Sequence, residues 1–171
     1  AKAKKKNVKL IEVINRLKEI DFSKERNEDY EEFKGIYHPK TYSQLLNIKE
    51  QLKNTPVDNL IRAIILGRLH GHSDAFFSVW TFNVISLSKD RIKNQAEKRG
   101  IKPEFRDIVP RIIKKAKEVM SDLITERPKS RLWRADSRNM PFIESNSIDL
   151  IITSPPFLNV VNYIDDNWLR F

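Results

Sequence analysis

The sequence predicts an α/β fold, with a large, mainly helical N-terminal portion followed by two parallel strands near the C-terminus. Apolar residues recur at helical spacing in most segments between residue 8 and about residue 123. The pattern then changes to a continuous apolar run, Ile148–Ile152, which is typical of a strand buried in a parallel sheet. We therefore divide the chain into a helical region, residues 1–127, and an α/β segment, residues 128–171.

Amphipathic helices account for most of the helical region. Residues 21–36 are polar and acidic and predict a loop or a short exposed helix. The aromatic stretch 72–87 has no clear period and predicts an ordered loop or a short extended segment. The predicted helices span residues 2–20, 39–53, 57–70, 88–99 and 107–126.

Two strands and a final helix are predicted in the α/β segment. Residues 131–135 form the first candidate strand, which ends at Asp136, and residues 147–153 form the second. The connection between them, residues 137–146, is just long enough for a crossover, and a helix is expected over residues 160–171. This order is typical of a doubly wound α/β fold.

The composition indicates a water-soluble protein with a basic surface. The formal net charge is +9, from 32 Lys and Arg against 23 Asp and Glu. This excess favours a polyanionic partner such as nucleic acid, although a solvated lysine-rich surface explains it equally well. The chain has no cysteine, which excludes disulfides and thiolate metal sites. No apolar run is long enough to span a membrane, so we predict no membrane partner. The lack of cysteine fits a cytoplasmic location. We predict no metal site, since no third ligand is evident beside His70 and His72.

The stretch Thr153-Ser154-Pro155-Pro156-Phe157 directly follows the second candidate strand. An exocyclic base amine is a poor nucleophile, because its lone pair is delocalised into the ring. The Ser154 side chain and the Pro155 carbonyl can both accept N–H bonds from such an amine and draw its nitrogen toward tetrahedral geometry. Pro156 stiffens the loop, and Phe157 can stack on a base that has been flipped out of a duplex.

These residues resemble the catalytic motif of S-adenosylmethionine-dependent DNA amino-methyltransferases of the restriction-modification type. Further similarity extends over roughly residues 60–171 and includes Leu69–Ser73, Lys102–Asp107 and the run after the motif, residues 159–170. The resemblance implies a partial Rossmann-like methyltransferase fold, double-stranded DNA as the substrate, and catalytic roles for Ser154, Pro155, Pro156 and Phe157. Members with Ser before Pro-Pro are mostly cytosine-N4 enzymes, so Ser154 points to cytosine N4.

The same resemblance implies that Asp136 and Thr153 contact S-adenosylmethionine. Enzymes of this family also bind the cofactor through a paired-glycine loop, which this chain lacks, since its four glycines are Gly35, Gly67, Gly71 and Gly100. We therefore expect a truncated or split enzyme, inactive by itself, whose glycine loop lies on a companion chain or a missing segment.

A basic surface is predicted to contact DNA phosphates. The helical region would then serve as a DNA-contact or target-recognition insertion. The alternatives are a non-catalytic nucleic-acid-binding module with a decayed motif, an adenine-N6 DNA methyltransferase, and an enzyme that methylates RNA or protein glutamine. The predicted nucleic-acid contacts are Lys89, Arg91, Lys93, Lys98, Arg99 and Arg106.

Overall fold

A computed structural model of the chain describes residues 8–81, 88–121, 131 and 133–154. Within these ranges the regular structure is helical. The helices are α1 (Leu10–Lys18), α2 (Tyr30–Phe33), α3 (Pro39–Gln51), α4 (Pro56–Leu66), α5 (Lys89–Lys98) and α6 (Ile108–Ser121).

Local capping signals in the sequence explain where several of these helices begin. Thr55 Oγ1 accepts a hydrogen bond from the backbone N–H of Asp58 at 3.1 Å, and Ser88 Oγ accepts one from Arg91 at 3.3 Å. Each satisfies a donor that has no partner inside its helix. Beyond the end of α5, Gly100 adopts φ +64°, a left-handed conformation that glycine tolerates at no steric cost.

The core lies where α1, α3 and α4 pack against α6. Each helix contributes residues at helical spacing, so one face is apolar and the opposite face polar. α2 is too short to form such a stripe, and no residue of it is buried. The buried core residues include Val13 and Leu17 of α1, Ile48 of α3, Ile61 and Ile65 of α4, and Ile112 and Ala116 of α6.

A buried ion pair joins α1 to the start of α4. Arg16 Nε donates to Asp58 Oδ1 at 2.7 Å, and Arg16 Nη2 donates to the carbonyl of Gln51 at 2.6 Å. The second Asp58 oxygen accepts the backbone N–H of Lys53 at 2.8 Å. Asp58 is fully buried, so its charge depends on these partners for compensation.

The predicted α/β fold is wrong for the part of the chain that the structure describes. No strand or sheet occurs within residues 8–81, 88–121, 131 and 133–154, where the only extended pairing is an isolated bridge between Gly71 and Trp80. Residues 147–153 are irregular and exposed, as are 131 and 133–135 of the other candidate strand. An apolar run signals burial, but a strand also needs a neighbour to pair its N–H and C=O groups. The described residues supply no such neighbour, so neither the two parallel strands nor a partial Rossmann-like sheet is formed.

The predicted helices agree better with the structure. The helices expected over 39–53, 57–70 and 88–99 are found as α3, α4 and α5, each ending one to four residues earlier than expected. The helix expected over 107–126 is found as α6, and the one over 2–20 as α1, although residues 1–7 and 122–126 are outside the described ranges. The helix expected over 160–171 also lies outside them. None of the described helices is long and apolar enough to cross a membrane.

Candidate functional site

The predicted catalytic residues fall at the edge of the described chain. Thr153 and Ser154 are described, and both are exposed in irregular backbone. Pro155, Pro156 and Phe157 lie outside the described residues. The structure therefore leaves Ser154 exposed to solvent, and its predicted catalytic role remains a prediction.

The apolar run before Ser154 is also exposed. The exposed fractions are 53% for Ile148, 74% for Leu150, 79% for Ile151 and 87% for Ile152. Single exposed apolar residues are ordinary, whereas these four lie within five consecutive positions of the chain.

Asp136, the predicted cofactor contact, is held by a neighbouring arginine. Its carboxylate accepts from Arg138 Nη2 at 2.7 Å and from Nε at 3.0 Å, and also from the Arg138 backbone N–H at 2.9 Å. The side-chain hydrogen bond with Arg138 lowers the pKa of Asp136, so the carboxylate stays ionised at neutral pH. Among the described residues, no contact joins Asp136 to Thr153 or Ser154, so the structure does not bring the predicted cofactor and catalytic residues together.

The basic residues of α5, together with Arg99 at its C-terminal cap, divide into two groups. Three lie against the protein: Lys89 pairs with Glu32, Lys93 Nζ donates to the Glu31 carbonyl at 3.4 Å, and the Arg99 guanidinium lies 4.9 Å from the centre of the Trp80 ring. The other two, Arg91 and Lys98, are exposed to solvent, as is the Arg99 residue as a whole. The surface that α5 offers to a polyanion is therefore smaller than the sequence indicates.

Arg106 is turned inward, with a side chain only 11% exposed. Its Nη1 atom donates to the carbonyls of Phe76, at 2.9 Å, and of Ser78, and its Nη2 atom donates to Asp74 Oδ1 at 3.3 Å. Burial lowers the pKa of Arg106, and the nearby Arg111 acts in the same direction while Asp74 opposes it. Arg106 thus holds the loop of residues 71–81, and its predicted contact with DNA remains a prediction.

A second basic cluster was missed at the sequence level. Arg68, just beyond α4, and Arg111 and Lys114 of α6 line a cavity of about 230 Å³ together with Asp74 and Ala75. We call this cavity the α4–α6 pocket. Arg111 and Lys114 are three residues apart on one helix face, which the sequence does reveal. Arg68 lies far away along the chain, and only the folding of α4 against α6 brings it to the same cavity.

No group of three or more histidine or acidic side chains suited to a metal ion occurs in the part of the chain described. Comparisons of the chain with protein-family models, with curated proteins and with solved structures found no match.

Proposed function

We propose that this chain carries the catalytic loop of a DNA amino-methyltransferase that acts on cytosine N4. The observation that carries the proposal is the run from Asp149 to Phe157, in which an apolar stretch leads to Ser154 and then to two prolines and an aromatic residue. The exposure of Ser154 and of the apolar stretch supports it, since both are accessible to a substrate and to a companion segment.

In this proposal Ser154 and Pro155 act on the amine. The Ser154 hydroxyl oxygen and the Pro155 carbonyl oxygen each accept one amine N–H, so the nitrogen lone pair is drawn out of the ring and becomes nucleophilic. Phe157 stacks on the flipped base and holds its plane. S-adenosylmethionine, when bound, supplies an electrophilic methyl group.

The residues of this chain fit the cofactor only in part. Asp136 offers one carboxylate, which must first exchange its bonds with Arg138 for bonds to the ligand. The four glycines are not paired at the spacing that a close approach to the cofactor requires. We therefore assign no complete transfer reaction to the chain by itself, and we propose that a companion segment supplies the glycine loop and covers residues 148–152.

Calorimetric titration with S-adenosylmethionine, in the presence and absence of mixed-sequence duplex DNA, tests this proposal. We expect salt-sensitive binding of the duplex and weak or undetectable binding of the cofactor alone. Micromolar cofactor binding by the chain alone would show a complete pocket and remove the need for a companion. Binding of neither ligand would overturn the proposal.

A non-catalytic nucleic-acid-binding module is the second candidate. The hydrogen bonds between Asp136 and Arg138 favour it, because they occupy the carboxylate that a functional cofactor site would use. Under this reading the duplex still binds, and a Ser154→Ala change alters no methylation. An adenine-N6 activity would differ only in the base that gains the methyl group, which mass spectrometry of the DNA distinguishes.

A further inference from the structure

The α4–α6 pocket combines small size with concentrated positive charge. Its volume of about 230 Å³ is below the roughly 300–1,000 Å³ of pockets that enclose whole small-molecule ligands. Three of its five lining residues are cationic, Arg68, Arg111 and Lys114, against the single carboxylate of Asp74. The pocket therefore suits one compact anionic group and not a complete nucleoside or cofactor.

The cations of the pocket keep donors for a ligand. Arg111 uses Nε for the Asp74 carbonyl at 2.8 Å and Nη1 for the Asp107 carbonyl at 2.9 Å. Both acceptors are neutral, so the Arg111 charge has no ion pair in the described chain. Lys114 is exposed and has neither an ion pair nor a hydrogen bond there. Arg68 is bonded to Glu118 at 3.4 Å, and Glu118 is also paired with Lys115 at 3.1 Å.

The carboxylate in the lining does little to neutralise this charge. The Asp74 side chain is 95% exposed, and it is paired with Arg106 at 3.3 Å. A carboxylate in water, with its own cation, screens the neighbouring guanidinium groups weakly.

Side chains in and beside the walls of the pocket are held by contacts within the protein. Arg106 holds the loop through the carbonyls of Phe76 and Ser78. The Arg68 guanidinium lies over the Phe76 ring, 5.2 Å from its centre, with its side chain only 16% exposed. Guanidinium groups held in this way bind a phosphate oxyanion with little further loss of side-chain entropy.

We propose that the α4–α6 pocket binds a backbone phosphate of double-stranded DNA. The phosphate as ligand follows from the pocket's charge and size, and the excess of 32 basic over 23 acidic residues favours a polymer of phosphates as its source. The choice of duplex DNA rests on the proposed function. Arg111 and Lys114 supply the main contacts, and Arg68 supplies the charge at the inner wall.

Fluorescence anisotropy with a labelled mixed-sequence DNA duplex, measured across a series of salt concentrations, tests the pocket. Lys114→Gln removes an exposed side chain that makes no ion pair or hydrogen bond in the described chain, so the variant should keep its fold. The double variant Arg111→Gln with Lys114→Gln should weaken binding about tenfold or more, as expected for lost charged hydrogen bonds. It should also reduce the slope of log K against log salt by about 1, the loss of one phosphate contact.

The matched control removes the same net charge from α1 and α3, with Lys18→Gln and Lys40→Gln, both at exposed positions outside the pocket lining. This pair should weaken binding by less than about threefold, since distant charges act only through the screened field. If both double variants lose the same affinity for the duplex, with folding verified by circular dichroism, the pocket is not a phosphate site. Only non-specific attraction between the basic protein and DNA would then remain.

Calorimetry with inorganic phosphate and with pyrophosphate separates the sources of the anion. Duplex binding that is far tighter than phosphate binding, and that depends on Arg111 and Lys114, supports the proposal. Millimolar phosphate binding with no duplex binding would overturn DNA as the source. The proposed function and the pocket fail with different results. If only the methyl-transfer proposal is wrong, DNA methylation is absent while pocket-dependent binding of the duplex persists.

Discussion

Arg106 is predicted to stabilise the loop of residues 71–81, and its replacement by alanine should destabilise the fold. The substitution leaves the carbonyls of Phe76 and Ser78 without their charged donor, and Ser78 is fully buried. Hydrogen bonds from charged donors contribute roughly 1.5–3 kcal/mol each. Because Phe76 is only partly buried and paired losses are not additive, we expect Arg106→Ala to cost about 3 kcal/mol in total.

Urea denaturation followed by circular dichroism measures this loss. In thermal unfolding it corresponds to a fall in Tm of about 10–15 °C for a folded region of this size. Arg106→Lys should recover only part of the stability, since one ammonium group cannot reproduce the Nη1 bonds to the Phe76 and Ser78 carbonyls together with the Nη2 bond to Asp74. Lys117→Ala, at an exposed site on α6, is the control and should change the free energy of unfolding by less than about 0.5 kcal/mol. A loss below about 1 kcal/mol for Arg106→Ala would refute the stabilisation of the 71–81 loop by Arg106.

Three further predictions concern the folded body. Asp58→Ala leaves Arg16 without its buried partner and should lower the free energy of unfolding in urea by about 3–5 kcal/mol. Glu19→Ala removes the exposed partner of the same arginine and should cost under about 1 kcal/mol. Similar losses for the two variants would show that the buried ion pair does not stabilise the fold as proposed. Gly71→Ala places a Cβ 2.5 Å from three ring carbons of Phe76, and this overcrowding should lower the free energy of unfolding by about 1–3 kcal/mol. An unchanged urea midpoint would show that the Phe76 ring does not pack this closely against Gly71. Burial and nearby carboxylates raise the pKa of Tyr42 to about 12, and burial also raises the pKa of Tyr37. The stability that these neutral phenols contribute below pH 10 should therefore be lost as the pH rises toward 12. Phenolate absorbance that develops fully near pH 10 in the folded protein would contradict this prediction.

The helices were predictable because their signals are local. A helix is specified by apolar residues three and four apart and by its caps, and all of these lie within a few residues of each other. Ser88 and Gly100 show this well, since the sequence alone places the ends of α5 between them and the structure puts a capping bond and a left-handed glycine at these positions. The C-terminal end of α4 was predicted about four residues too late, because the apolar period continues to Leu69 although the helix ends at Leu66.

The strands could not be predicted from the same kind of signal. The run Ile148–Ile152 reports the hydrophobicity of the segment, but a strand is completed by residues distant in sequence or on another molecule. Local pattern cannot show whether that partner is present. In the described chain it is not, and the exposed fraction of 87% at Ile152 is the consequence.

The basic residues illustrate the limit of reading charge from sequence. Arg106 was expected on an outward surface, yet the carbonyls of the 71–81 loop hold it inside the protein. Arg68 was not selected at all, since it stands alone among apolar residues at the end of α4. Both outcomes depend on how α4, α6 and the loop pack together, and this packing is a tertiary property that the linear charge pattern does not contain.

The most direct test of the central claim is the methylated-base content of genomic DNA in the cells that produce this chain. The native gene would be compared with a Ser154→Ala variant, and with Ser145→Ala as a control at another exposed serine of the same segment. Digestion and mass spectrometry would quantify N4-methylcytosine and N6-methyladenine. The proposed function predicts N4-methylcytosine in the native and Ser145→Ala cells and its loss in the Ser154→Ala cells. A level of both methylated bases that is unaffected by Ser154→Ala would contradict it.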